Sequence, residues 1–397
     1  MLIAAAEVID GARRMSGNGV TGAVGIDWPE LIAFKRTFTD PVPAKNEGRY
    51  ADKDIATYKG SASFTGSNRL QVAGSELDCR YILIASGAEP IRLGIPGEEL
   101  LLTNEDFLAL ETLPRRIVLV GGGYIAAEFS HIAARAGAEV TVLQRGPRLL
   151  PQFEPELVAW LMDSFAAAGI EVRTETTVTA IERVESGLVV HTSGNGGTVA
   201  VEADAVIHSA GRVPAIGRLN LDAANVAAEH GRLKLNEHLQ SVSNPAVYAA
   251  GDAAQSGPPL TPVSSHDAKV VAANLIEGNS HTPDYRGVPS VAFTLPPIAS
   301  VGLSEAEAKA TGLNVVVKCE QTSGWFSARR LAEKVYGYKT LVEEGTGRII
   351  GAHLVGPHAD EVINIFGLAV RHDLSANDLK STMFGYPTGA SDIGYML

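Results

Sequence analysis

The chain alternates between short apolar runs and stretches in which apolar residues recur every three or four positions. Residues 117–120 and 140–143 are continuous runs rich in β-branched side chains, which predict strands. The stretch between them has helical spacing, with apolar residues at Ile125, Phe129, Ile132 and Ala136. A strand, a glycine turn, a helix and a second strand in this order are typical of a dinucleotide-binding βαβ unit.

The same two spacings predict the other elements. Helices are predicted over residues 1–14, 28–38, 155–168, 265–278, 361–372 and 375–382. Strands are predicted over residues 62–65, 69–72, 81–85, 170–173, 178–183, 188–191, 205–210, 247–250, 336–342 and 348–355. Residues 39–53 are polar and predict a linker, whereas residues 81–85 are apolar throughout and predict a strand buried on both faces. From residue 288 strands are followed by helices, which indicates a separate α+β domain.

The glycine turn has the residues that a dinucleotide site requires. Gly121 permits the tight turn, Gly123 lets the backbone approach a pyrophosphate, and Ala126 lets the helix pack close to the strand. The free N–H groups and the positive dipole end of the helix then bind phosphate. The alternative is a glycine-rich turn that only packs.

The end of the second strand selects the nucleotide. An NAD site usually has Asp or Glu there, about 20 residues further on, for the ribose 2′-hydroxyl. This chain has Gln144, followed by Arg145 and Arg148. No carboxylate repels a 2′-phosphate, and two guanidinium groups can clamp one, so we predict NADPH over NADH. The alternative is a pair of solvated surface arginines.

Composition narrows the possible partners. The formal net charge of −12 argues against nucleic acid or an anionic membrane surface as partner. No apolar run is long enough to span a bilayer, and the first residues lack the basic start of a secretory signal. Cys79 and Cys319 are the two cysteines, and this low number fits a reducing cytosol, so we expect a cytoplasmic protein. The pattern predicts no metal site.

Four motifs in order identify a family. They are IASGAEP (84–90), GGGYIAAEFS (121–130), AGRVPAIGRL (210–219) and YAAGDAA (248–254). The chain resembles the flavin-dependent pyridine nucleotide–disulfide oxidoreductases, which include glutathione reductase, dihydrolipoamide dehydrogenase and mercuric reductase. The resemblance implies an α/β fold with two Rossmann-like domains, for FAD and NADPH, and a C-terminal α+β dimerisation domain. Its domains would be residues 1–113 and 237–287 for FAD, 114–236 for NADPH, and 288–397 for homodimerisation.

The resemblance also assigns roles to residues by position. Asp252 would bind the ribityl hydroxyls of FAD, Tyr124 would cover the flavin until the nicotinamide enters, and Glu128 would pair with an active-site lysine. The alternatives are an Asp in a polar turn, a packing aromatic and a solvated glutamate. The remaining candidates for FAD or nicotinamide contacts are Gly121, Gly122, Gly123, Ile125, Ala126, Val178, Gly211, Arg212, Gly251, Thr261, Ala62 and Gly87.

Three departures from the family pattern affect the chemistry. The sequence has no earlier GxGxxG unit for the ADP part of FAD, and no Cys-x-x-x-x-Cys redox pair with its lysine. Cys79 and Cys319 lie in predicted strands and are predicted to be buried core thiols. Tyr386 stands where relatives have the histidine acid–base. A phenol titrates near ~10 and an imidazole near ~6.5, so Tyr386 is a poor base at neutral pH.

These observations predict a homodimeric flavoprotein that passes a hydride from NADPH to the flavin and then electrons to an unidentified small-molecule acceptor. One alternative is a truncated, non-catalytic paralogue that binds NADP(H) and dimerises. Another alternative keeps the flavin but uses oxygen, a quinone or a metal ion as acceptor. We also expect that the chain is a fragment or has a misplaced start, and that it purifies poorly and with little flavin.

Overall fold

The computed structural model describes residues 1–194 and 197–397, which form two compact units. Unit 1 contains Met1–Thr37, Arg286–Leu397 and the described part of Arg92–Gly211. Unit 2 contains Phe38–Ile91 and Arg212–Tyr285. The four-part domain division predicted from the sequence stays a prediction.

The helices are numbered in chain order as α1 Leu2–Arg14, α2 Trp28–Thr39, α3 Val42–Ala51, α4 Asn104–Ala109, α5 Tyr124–Arg135, α6 Pro155–Ala167, α7 Thr261–Glu277, α8 Glu305–Ala310, α9 Phe326–Arg329, α10 Ala359–Arg371, α11 Ala376–Ser381 and α12 Ile393–Met396. None of the helices in the described chain is long and apolar enough to cross a lipid bilayer.

The strands are numbered in the same way as β1 Ala62–Gly66, β2 Arg69–Val72, β3 Ser75–Asp78, β4 Ile82–Ile84, β5 Ala88–Pro90, β6 Arg116–Val120, β7 Glu139–Leu143, β8 Glu171–Arg173, β9 Thr176–Val184, β10 Gly187–Gly194, β11 Gly197–Ala203, β12 Ala205–His208, β13 Arg212–Pro214, β14 Ala228–Glu229, β15 Arg232–Leu233, β16 Val247–Ala249, β17 Ser290–Ala292, β18 Ile298–Gly302, β19 Val315–Gln321, β20 Gly337–Glu343 and β21 Ile349–Val355.

A parallel sheet forms the centre of unit 1, in the order β12-β6-β7-β8. Successive residues of β6 face opposite sides, and both sides are buried. Ile117 and Leu119 pack in one core with Phe129 of α5, whereas Val118 and Val120 pack in another with Val178 of β9. The continuous apolar run predicted here is therefore explained by cover on both faces.

A five-stranded antiparallel sheet forms the C-terminal part of unit 1, in the order β17-β18-β21-β20-β19. Its residues Tyr338, Ala352 and Leu354 pack in one core with Ile363 and Phe366 of α10. The predicted hairpin of residues 336–342 and 348–355 is confirmed as β20 and β21.

Unit 2 contains the antiparallel sheet β1-β2-β3, the parallel pair β16-β4 and the antiparallel pairs β13-β5 and β14-β15. Its core gathers Phe64 of β1, Ile82 and Ile84 of β4, and Val247 and Ala249 of β16. Helix α7 follows β16 through a loop that begins with a short 3₁₀ turn at Gly251–Ala253.

Two details of the predicted pattern are wrong, and one strand is missing from it. Residues 39–53 are not a simple linker, because α3 lies within them; none of its residues is buried, so no apolar periodicity marks it. Leu83 of the 81–85 run is 42% exposed, because successive residues of β4 face opposite sides and only the side of Ile82 and Ile84 is buried. The predicted hairpin of residues 178–191 is confirmed as β9 and β10. The prediction lacks the third strand, β11, whose side chains are mostly exposed and follow no buried alternation.

Ion pairs join separate segments of unit 1. Asp10 on α1 pairs with Arg135 on α5 at 2.5 Å and with Arg14 at 2.9 Å. Arg14 also pairs with Glu333 at 3.4 Å. These contacts attach α1 to α5 and to the segment around Glu333.

A second cluster of buried charges lies around Lys339 of β20, which is 2% exposed. Its Nζ lies 2.8 Å from Glu154, 3.0 Å from Glu156 and 2.5 Å from Glu305. Burial alone lowers the pKa of Lys339, but the hydrogen bonds to the carboxylates outweigh burial and keep this pKa above its usual value. The hydrogen bond and charge of Lys309, together with Lys339, lower the pKa of Glu305 to about 2. Lys339 thus connects the start of α6 to the C-terminal sheet.

We predict that Lys339→Met lowers the free energy of unfolding by about 3–5 kcal/mol, because it leaves the buried carboxylate of Glu154 without its cation. Lys309→Met is the matched control, since Lys309 also pairs with Glu305 but its side chain is 70% exposed. We expect the control to cost less than about 1 kcal/mol. Denaturant titration of both variants measures the difference. Equal losses in the two variants would contradict the argument.

Candidate functional site

The turn after β6 leaves no space for a side chain at Gly121. This residue has a φ of +110°, and a Cβ atom built on it would lie 2.3 Å from the carbonyl oxygen of Ser209. The Gly121 N–H donates to the carbonyl of Leu143 at 2.8 Å. The tight turn after β6 is therefore packed between the ends of β7 and β12, and it has the conformation that the sequence predicts for this glycine.

Helix α5 begins directly after this turn with an uncapped N-terminus. Its N-cap residue is Gly123, no side chain caps it, and its first turn contains no acidic residue. Ala126 is fully buried, which allows the close packing expected of the third small position. The free backbone N–H groups and the helix dipole make this end suitable for a phosphate group.

Gly122 has a packing role that the sequence did not predict. A Cβ atom there would lie 2.6 Å from Cδ2 of Leu149 and 2.9 Å from Cδ of Gln144. Gln144 in turn donates from Nε2 to the carbonyl of Arg148 at 3.1 Å. The glycine turn and the segment after β7 are thus in direct contact.

The two arginines predicted to clamp a 2′-phosphate differ in their surroundings. Arg148 donates to the carbonyls of Phe153 at 2.6 Å and Pro151 at 2.7 Å, so its guanidinium braces its own loop. Arg145 is exposed, and it forms no hydrogen bond or ion pair within residues 1–194 and 197–397. Arg145 is therefore the guanidinium that remains available for a ligand.

Tyr124 and Glu128 lie on the first two turns of α5. The Tyr124 ring packs edge-on against Phe153, with ring centroids 5.6 Å apart, and the Tyr124 hydroxyl hydrogen-bonds Ser290 and Gln152. Glu128 accepts a hydrogen bond from the backbone N–H of Phe293 at 3.0 Å. Burial raises the pKa of Glu128, and this N–H partly opposes the increase. Glu128 is therefore held by the C-terminal part of unit 1.

The other candidates of the nucleotide site contribute mainly through the backbone. Ile125 is half-buried and packs against the core of α5 and α6. The side chain of Val178 is buried in the core between the two sheets. Gly211 has a φ of +114°, and a Cβ atom there would meet open space.

Unit 2 contains the residues expected to contact FAD. Gly251 has a φ of +63°, and a Cβ atom on it would lie 2.6 Å from Oγ of Ser264. Asp252 follows it, half-buried, and its carboxylate has no hydrogen-bond or ion-pair partner in the described chain. Thr261 is the exposed first residue of α7, whose N-terminus has no side-chain cap.

Further candidates lie in the strands and turns of unit 2. Ala62 begins β1, and the Gly87 carbonyl accepts the N–H of Ala215 at 2.9 Å. Arg212 donates from its guanidinium to the carbonyl of Ala88. Oε1 of Gln255, just beyond Asp252, is buried and has no partner among the described residues. An unpaired carboxylate, an unpaired buried acceptor and an open helix N-terminus fit a ligand that has both hydroxyl donors and anionic or carbonyl acceptors.

The redox candidates are not brought together. Tyr386 is 77% exposed and stacks on Phe326, with ring centroids 6.2 Å apart. Asp392, six residues further along the chain, accepts the hydroxyl of Tyr336 at 2.7 Å. The prediction of buried thiols is wrong for Cys319, which is exposed on the edge strand β19, and Cys79 is half-buried. Burial of part of its surface and the charge of Glu156 raise the pKa of Cys319, which disfavours a thiolate.

Comparison with known proteins gives two adjacent matches along the chain. The family model of the pyridine nucleotide-disulphide oxidoreductases matches residues 30–268. The model of the dimerisation domain of the same family matches residues 288–396. Together the two matches account for most of the chain.

Individual relatives agree with these matches. The chain is 33% identical to a glutathione reductase from Burkholderia cepacia over 388 residues, or 95% of this chain and 85% of the relative. It is 35% identical to a mercuric reductase from Staphylococcus aureus over 338 residues, or 84% of this chain and 61% of the relative. The structure of the HOCl-induced flavoprotein disulfide reductase RclA from Escherichia coli has a similar fold. Its TM-score is 0.86 at 24% identity, over 100% of this chain and 88% of that one.

We predict opposite effects for alanine at two neighbouring glycines. Gly121→Ala should prevent folding or destabilise it severely, because its Cβ would overlap backbone atoms of Ser209 and Ala210 at a left-handed φ. Gly123→Ala should fold, since the nearest atom to its Cβ is 3.9 Å away. Its methyl group would, however, stand at the helix end that we expect to receive the phosphate, so NADPH should bind more weakly. Thermal unfolding and NADPH titration measure the two effects, and a stable Gly121→Ala protein would contradict this view of the turn.

Proposed function

The chain belongs to the pyridine nucleotide-disulphide oxidoreductase family, and we propose that it is a flavoprotein that takes a hydride from NADPH. The observation that carries the proposal is the uncapped N-terminus of α5 behind the Gly121 turn. A nicotinamide dinucleotide needs such an end for its pyrophosphate, because backbone N–H groups and the helix dipole stabilise the negative charge there.

The preference for NADPH rests on the segment after β7. Gln144 carries no charge that would repel a 2′-phosphate, and the Arg145 guanidinium is exposed and unpaired in the described chain. Arg148 supports this arrangement indirectly, since its hydrogen bonds to Phe153 and Pro151 hold the loop that carries Arg145. We therefore propose Arg145 as the main contact to the 2′-phosphate and Arg148 as the residue that shapes the loop.

FAD binding is supported by the features of unit 2. Asp252 offers two acceptor oxygens to the ribityl hydroxyls, and the open start of α7 at Thr261 offers N–H donors. Gln255 Oε1 is a buried acceptor that a ligand donor would satisfy. When bound, the flavin accepts a hydride from the nicotinamide and passes the electrons on to the acceptor.

The residues of α5 prepare the nucleotide site in this proposal. Tyr124 lies at the start of the helix, and its ring is fixed by Phe153 and its hydroxyl by Gln152 and Ser290. Glu128 is anchored by the Phe293 N–H, and burial raises its pKa, so its carboxylate takes up a proton at a higher pH than an ordinary glutamate does as pH falls.

We propose that the acceptor is not a disulfide. Cys79 and Cys319 are free thiols that form no disulfide, and burial raises the pKa of Cys319. Tyr386 offers a solvent-exposed phenol in place of an imidazole base. Oxygen, a quinone or a metal ion remains as the acceptor class. The names of the relatives include both disulfide and mercuric reductases, so metal ions belong in any panel of acceptors.

The proposal is tested by anaerobic reduction. The purified chain is incubated with FAD, freed of excess FAD and mixed with NADPH, and we expect loss of the flavin absorbance within the mixing experiment. Glutathione disulfide, oxygen, a short-chain quinone and Hg²⁺ are then added separately. We expect at least one of the last three acceptors to reoxidise the flavin. Glutathione disulfide should reoxidise the flavin of this chain no faster than that of the Cys79→Ser, Cys319→Ser double variant. Failure to bind FAD, or a bound flavin that NADPH does not reduce, would refute the proposal.

The arginine assignment predicts a difference between two single variants. Arg145→Ala should weaken NADPH far more than NADH, because a charge-assisted hydrogen bond contributes about 1.5–3 kcal/mol. Arg148→Ala should weaken both nucleotides to a similar extent, because it removes the bonds to Phe153 and Pro151 that shape the loop. Dissociation constants from intrinsic fluorescence test both statements. The assignment is wrong if Arg145→Ala leaves the ratio of the two constants unchanged.

Homodimerisation is the third part of the proposal. Residues 288–396 match the dimerisation domain of the family, and a closed two-fold dimer is the commonest assembly of soluble proteins. Light scattering of the purified chain should give twice the mass of 41.7 kDa. A monomer that persists at micromolar concentration would count against this part.

A further inference from the structure

Asp267 is a fully buried carboxylate in the second turn of α7. Its Oδ2 atom accepts the backbone N–H of Gly251 at 3.0 Å, and its Oδ1 atom accepts the hydroxyl of Tyr285 at 2.8 Å. A buried carboxylate is costly unless it is hydrogen-bonded, and here each oxygen has a donor. The contact to Gly251 lies beside Asp252, the residue that we propose for the flavin ribityl chain.

Tyr285 holds the same loop at a second point. A Cβ atom on Gly257 would lie 2.7 Å from Cε1 of Tyr285, so the ring packs directly on the backbone of that glycine. The ring also meets His266 edge-on at 6.0 Å, and the Nε2 atom of His266 accepts the N–H of Asp284 at 3.0 Å. Burial and the hydrogen bond to Asp267 raise the pKa of Tyr285 well above its usual value, so it stays a neutral donor.

The loop from Gly251 to Gly257 is thus held at both of its ends. Gly251 is held by Asp267 and packs without room for a Cβ against Ser264, while Gly257 lies under Tyr285. Between them, Asp252 and Gln255 keep oxygens that have no partner in the part of the chain that the structure describes. The residues that hold the loop therefore leave these acceptor oxygens unused.

We infer that Asp267 and Tyr285 are positioning residues that hold the Gly251–Asp252 turn in the conformation required to bind the ribityl chain of FAD. The inference rests on the proposed function, since it assigns these residues to the same flavin site. Such a role gives a reason for the buried carboxylate on α7. Asn274, the other buried polar residue of this helix, bonds to His238 and Ser280 and not to this loop.

The test measures FAD affinity and loop protection in matched variants. Asp267→Ala removes both hydrogen bonds, whereas Asp267→Asn keeps an acceptor for the Gly251 N–H and a donor for the Tyr285 oxygen. Tyr285→Phe removes the hydroxyl and keeps the ring on Gly257. Asn274→Ala is the control, since Asn274 is 2% exposed on the same helix and makes four hydrogen bonds of its own.

We expect Asp267→Ala to weaken FAD by roughly 10-fold to 100-fold, as the loss of a hydrogen bond to a charged group implies. Asp267→Asn should recover affinity to within roughly threefold of wild type, a difference of less than about 1 kcal/mol by the usual conversion. Hydrogen exchange at residues 247–256 should increase in Asp267→Ala and not in Asn274→Ala. Because Asn274→Ala also loses buried hydrogen bonds, its melting temperature should fall without a comparable loss of FAD.

Each outcome has a definite meaning. Unchanged FAD affinity in Asp267→Ala, with exchange raised at residues 247–256, would overturn the inference and leave the proposed function standing. Equal loss of FAD in Asp267→Ala and Asn274→Ala would also overturn it, since the effect would then follow general stability. A wild-type chain that binds no FAD would overturn the proposed function and this role with it. Hydrogen exchange at residues 247–256 would then still show whether Asp267 holds the loop. If Asp267→Ala does not fold, Tyr285→Phe and Asp267→Asn decide by the same affinity comparison.

Discussion

The nucleotide half of the protein depends on the absence of side chains at two adjacent positions. Gly121 lies so close to Ser209 and Ala210 that a single methyl group would overlap the backbone of the next strand connection, and Gly122 lies against Leu149 and Gln144. This close approach fixes where α5 begins, and the start of α5 fixes where its free N–H groups lie. The proposed phosphate site and the placement of Tyr124 and Glu128 on the first turns of the helix all follow from that one turn.

The parts of the fold that the sequence predicts correctly are those determined by local pattern. The strands and helix of the βαβ unit have boundaries within a few residues of those expected, because apolar spacing and glycine both act over short distances. The role of Ala126 is likewise visible in the sequence, since a small residue in this position has one main use. The same reasoning fails at Arg148, whose partners are carbonyl groups that no pattern marks.

Tertiary partners decide the remaining differences. Leu83 lies in an apolar run, yet its exposure depends on whether other residues cover its face of β4. Cys319 sits on an edge strand rather than in the core, and α3 has no buried face to give it a periodic signal. Asp267 and Lys339 appear in the sequence as ordinary charged residues on a helix and a strand. Only the positions of Gly251, Tyr285 and the three glutamates show that each is a buried junction.

The contact between Gly122 and Gln144 has a consequence for how nucleotide preference changes during evolution. Gln144 fills the space beside Gly122 and also donates a hydrogen bond to the Arg148 carbonyl, so the residue that we propose to select the nucleotide is packed directly against the glycine turn. A replacement chosen only for its charge toward the ribose would alter the packing of Gly122 at the same time. A change of preference from one coenzyme to the other therefore needs more than one substitution in this chain, because Leu149 or the loop would have to change together with Gln144.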